Sequence, residues 1–248
     1  MPTEGTQAQA ALARDGFATV QGVLSTVQIE QMWTACARGA GLTRRGRAYG
    51  GRNLLALPEV RNLAALRAIR DLVEPVLGKD ALPVRALFFD KTPEANWPVL
   101  WHQDLTIAVT TRHDLAGWGP WSVKAGVVHV EPPADLLAGL LTVRLHLDDC
   151  HADNGPLRVI PGSHALGRLS RERVRTITAE GTAVTCTAQA GAALLMRPLL
   201  LHASAPARRP EHRRVLHIEF AERNALPQPL TWAFDQDFSP VVREAGSA

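Results

Sequence analysis

The sequence predicts a mainly β protein with helices gathered at its N-terminus, an α+β chain. Helical spacing of apolar residues is confined to the part before Gly78. From Val84 onward the chain breaks into short β-prone runs separated by Gly, Pro, Asn and Asp turn signals. No internal repeat, low-complexity tract or linker divides the two textures, so the 248 residues read as one domain. Helices first and many short strands later suggest a β-sandwich or open barrel braced by helices. In this reading residues 1–80 are mainly helical support, 81–225 the β core and 226–248 a C-terminal segment.

Taken in order, residues 7–14 read as a short helix and Gly16 to Val20 as a short strand. Ser25 opens a second helix, with Gln28 completing a capping box and Val27, Ile29, Met32, Trp33 and Cys36 supplying its apolar face; Gly39 to Gly41 end it. Residues 42–56 are rich in arginine and glycine and read as a loop. One helix is expected from Pro58 to Leu77, with Val60, Leu63, Leu66, Ile69, Leu72 and Val73 at helical spacing and Gly78 as its cap. Strands are expected over Val84–Asp90, within Trp101–Thr110, and over Leu141–Leu147, Leu157–Ile160, Val184–Thr187, Ala192–Met196 and Val215–Phe220. Residues 111–134 hold Gly117, Gly119, Pro120, Pro132 and Pro133 and read as a long loop with short extended pieces. Trp118, Trp121 and His129 within it are candidates to line a substrate pocket.

Composition narrows the function classes. Apolar residues are 46% and charged residues 21%, enough for a substantial core without disulfides. The net charge of +3 comes from short arginine clusters (Arg44, Arg45, Arg47, Arg52) not interleaved with aromatics, so no nucleic-acid footprint is seen. Cys36, Cys150 and Cys186 form no CxxC pair and point to free thiols in a reducing compartment. The first residues lack the order of a signal peptide, and no apolar run has membrane-spanning length. The expectation is a cytoplasmic protein acting on a small molecule, with neither membrane nor nucleic acid as partner.

Trp101-His102-Gln103-Asp104 is the stretch that points to chemistry. In extended chain, residues two apart share a face, so His102 and Asp104 present an imidazole and a carboxylate together. That pair is two-thirds of the two-histidine, one-carboxylate set that leaves iron(II) sites open. Of nine histidines, the eight besides His102 compete to complete it. His113 and His212 sit in charged loop sequence, His151 and His164 flank turns, and His146 alternates within a strand with either face open to it. His202 stands out because it closes the apolar run Leu199-Leu200-Leu201 and is followed, after a turn, by Arg213-Arg214. A guanidinium there suits a bidentate carboxylate site.

Four motifs together, Trp101 to Asp104, Leu147 through Leu157 with Asp153-Asn154-Gly155-Pro156, Ile160-Pro161-Gly162-Ser163-His164, and His202 with Arg213 eleven residues later, resemble the phytanoyl-CoA dioxygenase family. The resemblance spans roughly residues 84–221. It implies a double-stranded β-helix (jelly-roll, cupin-like) core, iron(II) as cofactor, and 2-oxoglutarate and O2 as cosubstrates. It makes His102, Asp104 and His202 the metal ligands, and matches Arg213 to the arginine that pairs with the distal carboxylate of 2-oxoglutarate. Ser204 matches an assisting hydroxyl, and Lys91 a lysine that contacts the cosubstrate in a relative, ectoine hydroxylase. Asp104 argues against the halogenating relatives, which carry a small residue there. Arg144 departs from the family, which has a tryptophan lining the cosubstrate pocket of phytanoyl-CoA hydroxylase, and puts an acyl-CoA substrate in doubt.

Arg213 has a rival. Strict alternation groups Arg214 with Leu216, Ile218 and Phe220, facing a core, and Arg213 with Val215, His217 and Glu219. Family spacing favours Arg213, with a bulge available to reset the face. The expected activity is hydroxylation of an unactivated C–H bond with release of succinate and CO2. The alternatives are a jelly-roll isomerase or hydrolase using zinc or manganese, and a non-catalytic ligand-binding module.

Overall fold

A computed structural model describes residues 4–39 and 50–235. Most of the expected arginine-rich loop, including Arg44, Arg45 and Arg47, lies outside the described residues, as does the chain beyond 235. The order is α1 (Glu4–Asp15), β1 (Phe17–Val20), α2 (Thr26–Gly39), β2 (Gly50–Gly51), α3 (Pro58–Ala64), α4 (Arg67–Leu77), β3 (Ala81–Lys91) and β4 (Val99–His102). Then follow β5 (Ile107–Val109), β6 (Trp121–Lys124), β7 (Val127–Val130), α5 (Ala134–Ala138), β8 (Leu141–His146), β9 (Leu157–Val159) and α6 (Arg171–Glu180). β10 (Val184–Cys186), β11 (Ala193–Met196), β12 (His202–Ser204) and β13 (Arg213–Glu222) complete it.

All strand pairs are antiparallel. A six-stranded sheet runs β1-β11-β8-β13-β3-β2, and a four-stranded sheet runs β10-β9-β12-β4. Residues of both line one cavity, so the two sheets face each other as in a jelly roll. The far face of the large sheet is apolar at every second residue: Ala86 and Phe88, Leu141, Val143 and Leu145, Ala193 and Leu195, Leu216, Ile218 and Phe220. These pack against Leu12 of α1, Met32 and Cys36 of α2, Val60 and Leu63 of α3, and Ile69, Val73 and Leu77 of α4. Each of the larger aliphatic and aromatic side chains among them contributes roughly 1.5–3 kcal/mol by leaving water, so the helices and the sheet stabilise one another.

The Ser25–Gln28 box forms as expected: the Ser25 N–H donates to Gln28 Oε1 at 2.8 Å and the Gln28 N–H to Ser25 Oγ at 3.3 Å. The single helix expected over 58–77 is instead two, broken at Ala65-Leu66. Periodicity explains the break. In one continuous helix Ile69 would point about 180° away from Val60, and only a break lets both face the sheet.

The expected loop over 111–134 contains the β6–β7 hairpin, which with β5 forms a three-stranded sheet. Trp118 and Trp121, partly buried, pack onto the apolar cluster around Ile107, Val109 and Val130. α6, absent from the sequence reading, has no buried residue and hence no apolar stripe to reveal it. All three cysteines are buried free thiols. Among the described residues no helix is long and apolar enough to cross a membrane.

Candidate metal centre and cosubstrate cavity

β4 and β12 pair so that His102 and His202 are direct register partners. Cross-strand partners stand side by side, and the two imidazole centroids are 4.1 Å apart. Each ring is fixed through its own strand. His102 Nδ1 lies 2.8 Å from the Leu100 carbonyl and His202 Nδ1 2.9 Å from the Leu200 carbonyl. A carbonyl only accepts, so each Nδ1 carries the proton and each Nε2 keeps a lone pair, the metal-ligating tautomer. The segment before His202 is held by Ser163, whose Oγ accepts from the Leu201 N–H at 2.9 Å and donates to the Ile160 carbonyl at 2.7 Å. The Pro161-Gly162-Ser163 turn thus serves the centre structurally.

Asp104 follows β4, its N–H donating to the Pro198 carbonyl at 2.9 Å. Its carboxylate lies 3.6 Å from His202 Nε2, 3.9 Å from His102 Nε2 and 4.0 Å from His217 Nε2. None of these is a hydrogen bond, and buried Oδ2 has no protein partner. Ligand atoms of His102, Asp104 and His202 all lie within 4.8 Å of one another. Burial works to raise the Asp104 pKa, but His202, His217, Arg85 and His102 outweigh it and hold the carboxyl well below the usual range. Burial pushes His202 down to about 4, against the pull of Asp104, so it is neutral at neutral pH. Two lone-pair nitrogens and an orphaned carboxylate oxygen converge, a donor set that fits a divalent metal.

A cavity of about 110 Å³ opens beside these groups, lined among others by Lys91, Arg144, Ser204, Arg213 and His217. Its cations come from three adjacent strands. Lys91 on β3 is the register partner of Arg213 on β13, and Arg144 on β8 is the partner of His217 on β13. Arg213 and Arg144 are buried, at 3% and 6% exposure, and the former's Nε and Nη1 and the latter's Nε have no hydrogen-bond partner. Lys91 is fully buried and donates to Ser204 Oγ at 3.0 Å and the Ala205 carbonyl at 2.6 Å. Burial, then the two arginines, lower Lys91 to about 8; burial, then Arg213, lower Arg144 to about 9. Asp104 is the one carboxylate among the described residues on this cavity's wall. Three buried cations therefore share this wall with a single carboxylate, Asp104, which belongs to the metal-ligand set, and the excess positive charge suits an anionic guest.

The profile of the family described as phytanoyl-CoA dioxygenase (PhyH) matches residues 12–215. The chain belongs to the phytanoyl-CoA dioxygenase family. No curated protein matches it at sequence level. Among solved structures it resembles AviO1 from Streptomyces viridochromogenes Tue57, at 23% identity and TM-score 0.66 over 92% of this chain and 100% of that one. The epimerase SnoN in complex with Fe3+, alpha ketoglutarate and nogalamycin RO shares 18% identity and TM-score 0.67 over 88% of this chain and 84% of that one. EctD from S. alaskensis with 2-oxoglutarate and 5-hydroxyectoine shares 19% identity and TM-score 0.67 over 90% of this chain and 78% of that one. The family works with iron(II), 2-oxoglutarate and O2, and its jelly roll is the fold found here.

Against this family background, the structure brings all six residues singled out from the sequence, His102, Asp104, His202, Arg213, Ser204 and Lys91, to one cavity. It also separates Arg213 from Arg214. The Arg214 N–H and Nε donate to Asp148 Oδ2 at 2.7 and 2.8 Å, and its guanidinium lies over Trp33 of α2. No bulge resets the face near Arg213; the β13–β3 irregularity falls at Glu219/Phe220. Both faces of the sheet are buried, and the polar one is inside. Sequence reasoning missed His217, Glu219 and Arg85, which form a chain behind Asp104. His217 Nε2 is 3.3 Å from Glu219 Oε1, and Glu219 pairs with Arg85. For His217 and Glu219 the available signal was their shared parity with Arg213 on β13; Arg85 comes to them only through the pairing of β3 with β13. Gly155, at φ +74°, has a steric role: a Cβ there would meet the Ala205 carbonyl at 2.8 Å and Lys91 Nζ at 3.2 Å.

Proposed function

We propose that this chain is a non-haem iron(II)- and 2-oxoglutarate-dependent dioxygenase that hydroxylates an unactivated C–H bond of a small molecule, releasing succinate and CO2, with the whole chain acting as one oxygenase domain. The observation that carries this is the junction of the His102–Asp104–His202 set with a cavity whose wall holds three cations and, among the described residues beyond the ligand Asp104, no carboxylate. Iron(II) with 2-oxoglutarate and O2 supplies the oxidising chemistry once bound there.

The protein's own part is placement. His102 and His202 are oriented by their Nδ1 bonds to the Leu100 and Leu200 carbonyls, which leave each Nε2 to face a metal, and Asp104 supplies the negative charge. Arg213 is the fork for the distal carboxylate of the cosubstrate, and Arg144 adds a second guanidinium to the same anion. Lys91 and Ser204, already bonded to each other, close that end of the cavity. Leu87, Phe89, Val99 and Leu157 line the remainder and keep water out. An isomerase or hydrolase that uses the metal alone needs no such cationic end, and neither does an inert binding module.

The test is anaerobically prepared iron-loaded protein, assayed for succinate formed against 2-oxoglutarate consumed over a metabolite library, with oxygen-18 gas to label product. Hydroxylation predicts one-to-one stoichiometry and one labelled oxygen in the product. A product without label points to another outcome of the same centre, as in the epimerase SnoN. No 2-oxoglutarate consumption, with metal binding unchanged in Asp104→Ala, sinks the proposal.

A further inference from the structure

His102 borders a second and larger space, an open cleft of about 630 Å³ between β4 and α6. One wall is the ligand strand. Leu100, two residues before His102, lines this cleft and is 82% exposed. Trp101 and Leu105 extend that wall, and Arg158 sits over the Trp101 ring at 5.7 Å. An uncovered leucine two residues from a metal ligand, continuous with an indole, is an apolar surface that folding leaves unused.

The opposite wall is α6. Arg171, Val174, Arg175 and Thr178 all line the cleft, and their i, i+3, i+4, i+7 spacing makes them one helical face. The helix buries none of its side chains, so this face is not spent on the core. It is held over the cleft from the ligand strand itself. Buried Gln103 donates from Nε2 to the Leu199 and Gly167 carbonyls at 2.7 and 2.8 Å, and its Oε1 accepts from the Leu169 N–H at 2.9 Å. Ser170 then caps the helix by accepting from the Arg173 N–H.

The charge of the cleft is one-sided. No Asp or Glu is among its lining residues, and among the described residues neither Arg171 nor Arg175 has an ion-pair partner. Guanidinium groups one helical turn apart converge on a single carboxylate. We infer that this cleft is the substrate subsite and that it takes a small organic carboxylate with an apolar or aromatic body. The body lies against Leu100, Trp101, Leu105 and Val174, the carboxylate meets Arg171 and Arg175, and the far end of the body points to His102. The volume suits a molecule of this size. The inference rests on the reading of His102 as an iron ligand.

The test uses the full chain loaded with manganese(II) and saturating 2-oxoglutarate, so that the cationic cavity is already filled. 4-Phenylbutyrate, its neutral amide and the matching amine are titrated calorimetrically, and manganese broadening of the probe's proton resonances locates it. The carboxylate is expected to bind about tenfold more tightly than the amide, the amine more weakly still, and its phenyl protons are expected to broaden most. Arg171→Gln with Arg175→Gln is expected to erase that preference while 2-oxoglutarate and manganese affinities stay at wild-type values. Equal binding of the three probes, or a preference that survives the double variant, overturns the inference. Failure of manganese and 2-oxoglutarate to bind at all sinks the dioxygenase reading instead, and the same charge series on metal-free protein then still decides the cleft.

Discussion

Leu216, Ile218 and Phe220 on one face of β13 pack onto the helices, and one residue out of phase Arg213, His217 and Glu219 face the jelly-roll interior. Both faces are buried, but for opposite reasons. The outer face leaves water with nothing polar to satisfy and stabilises the fold. The inner face carries Arg213, whose donors are orphaned, beside Arg144 and Lys91, an excess of buried positive charge that weakens the metal-free protein. Stability and chemistry are thus separated by a single residue of phase along the same strand. Substitutions on the two faces should move different observables.

The largest effect is expected at the metal ligands. Asp104→Ala should weaken manganese or iron binding roughly a thousandfold by calorimetry, with little change in the urea midpoint of the metal-free protein. Next is the outer face: Ile218→Ala should lower stability by about 3 kcal/mol in urea titration, with 2-oxoglutarate affinity of the folded protein unchanged. A loss of affinity there would break the separation of faces. Arg213→Leu should weaken 2-oxoglutarate about a hundredfold and Arg144→Leu about tenfold. Both should raise the melting temperature of the metal-free protein, because each removes a buried, uncompensated cation. This opposition of sign sharpens the comparison most, since an outer-face residue such as Ile218 loses stability and leaves affinity unchanged. The smallest effect is Ser25→Ala, about 1 kcal/mol of stability from the lost cap, with no change in ligand affinity.

The sequence made the helices-then-strands order legible because period 3.6 and period 2 are local. What it hid was set by contacts. The 58–77 helix breaks because two apolar faces must meet one sheet, which no local spacing announces. α6 was silent because it buries nothing, though Ser170 before Arg171-Glu172 is a capping signal. At the centre, His102 and Asp104 followed from a two-residue spacing and His202 from its apolar approach. The choice between Arg213 and Arg214 was ambiguous because alternation cannot tell an apolar exterior core from a polar interior one. Arg144 stood out as a departure from the family, but its place among unpaired cations is a property of three strands side by side.

The central claim is that the buried cations form an anion site joined to the metal centre. The most direct measurement is anaerobic calorimetric titration of 2-oxoglutarate into manganese-loaded wild type, metal-free wild type and manganese-loaded Arg213→Leu. The structure predicts tight binding to the first and at least about tenfold weaker binding to each of the others. Equal affinity for all three, or none for any, would contradict it.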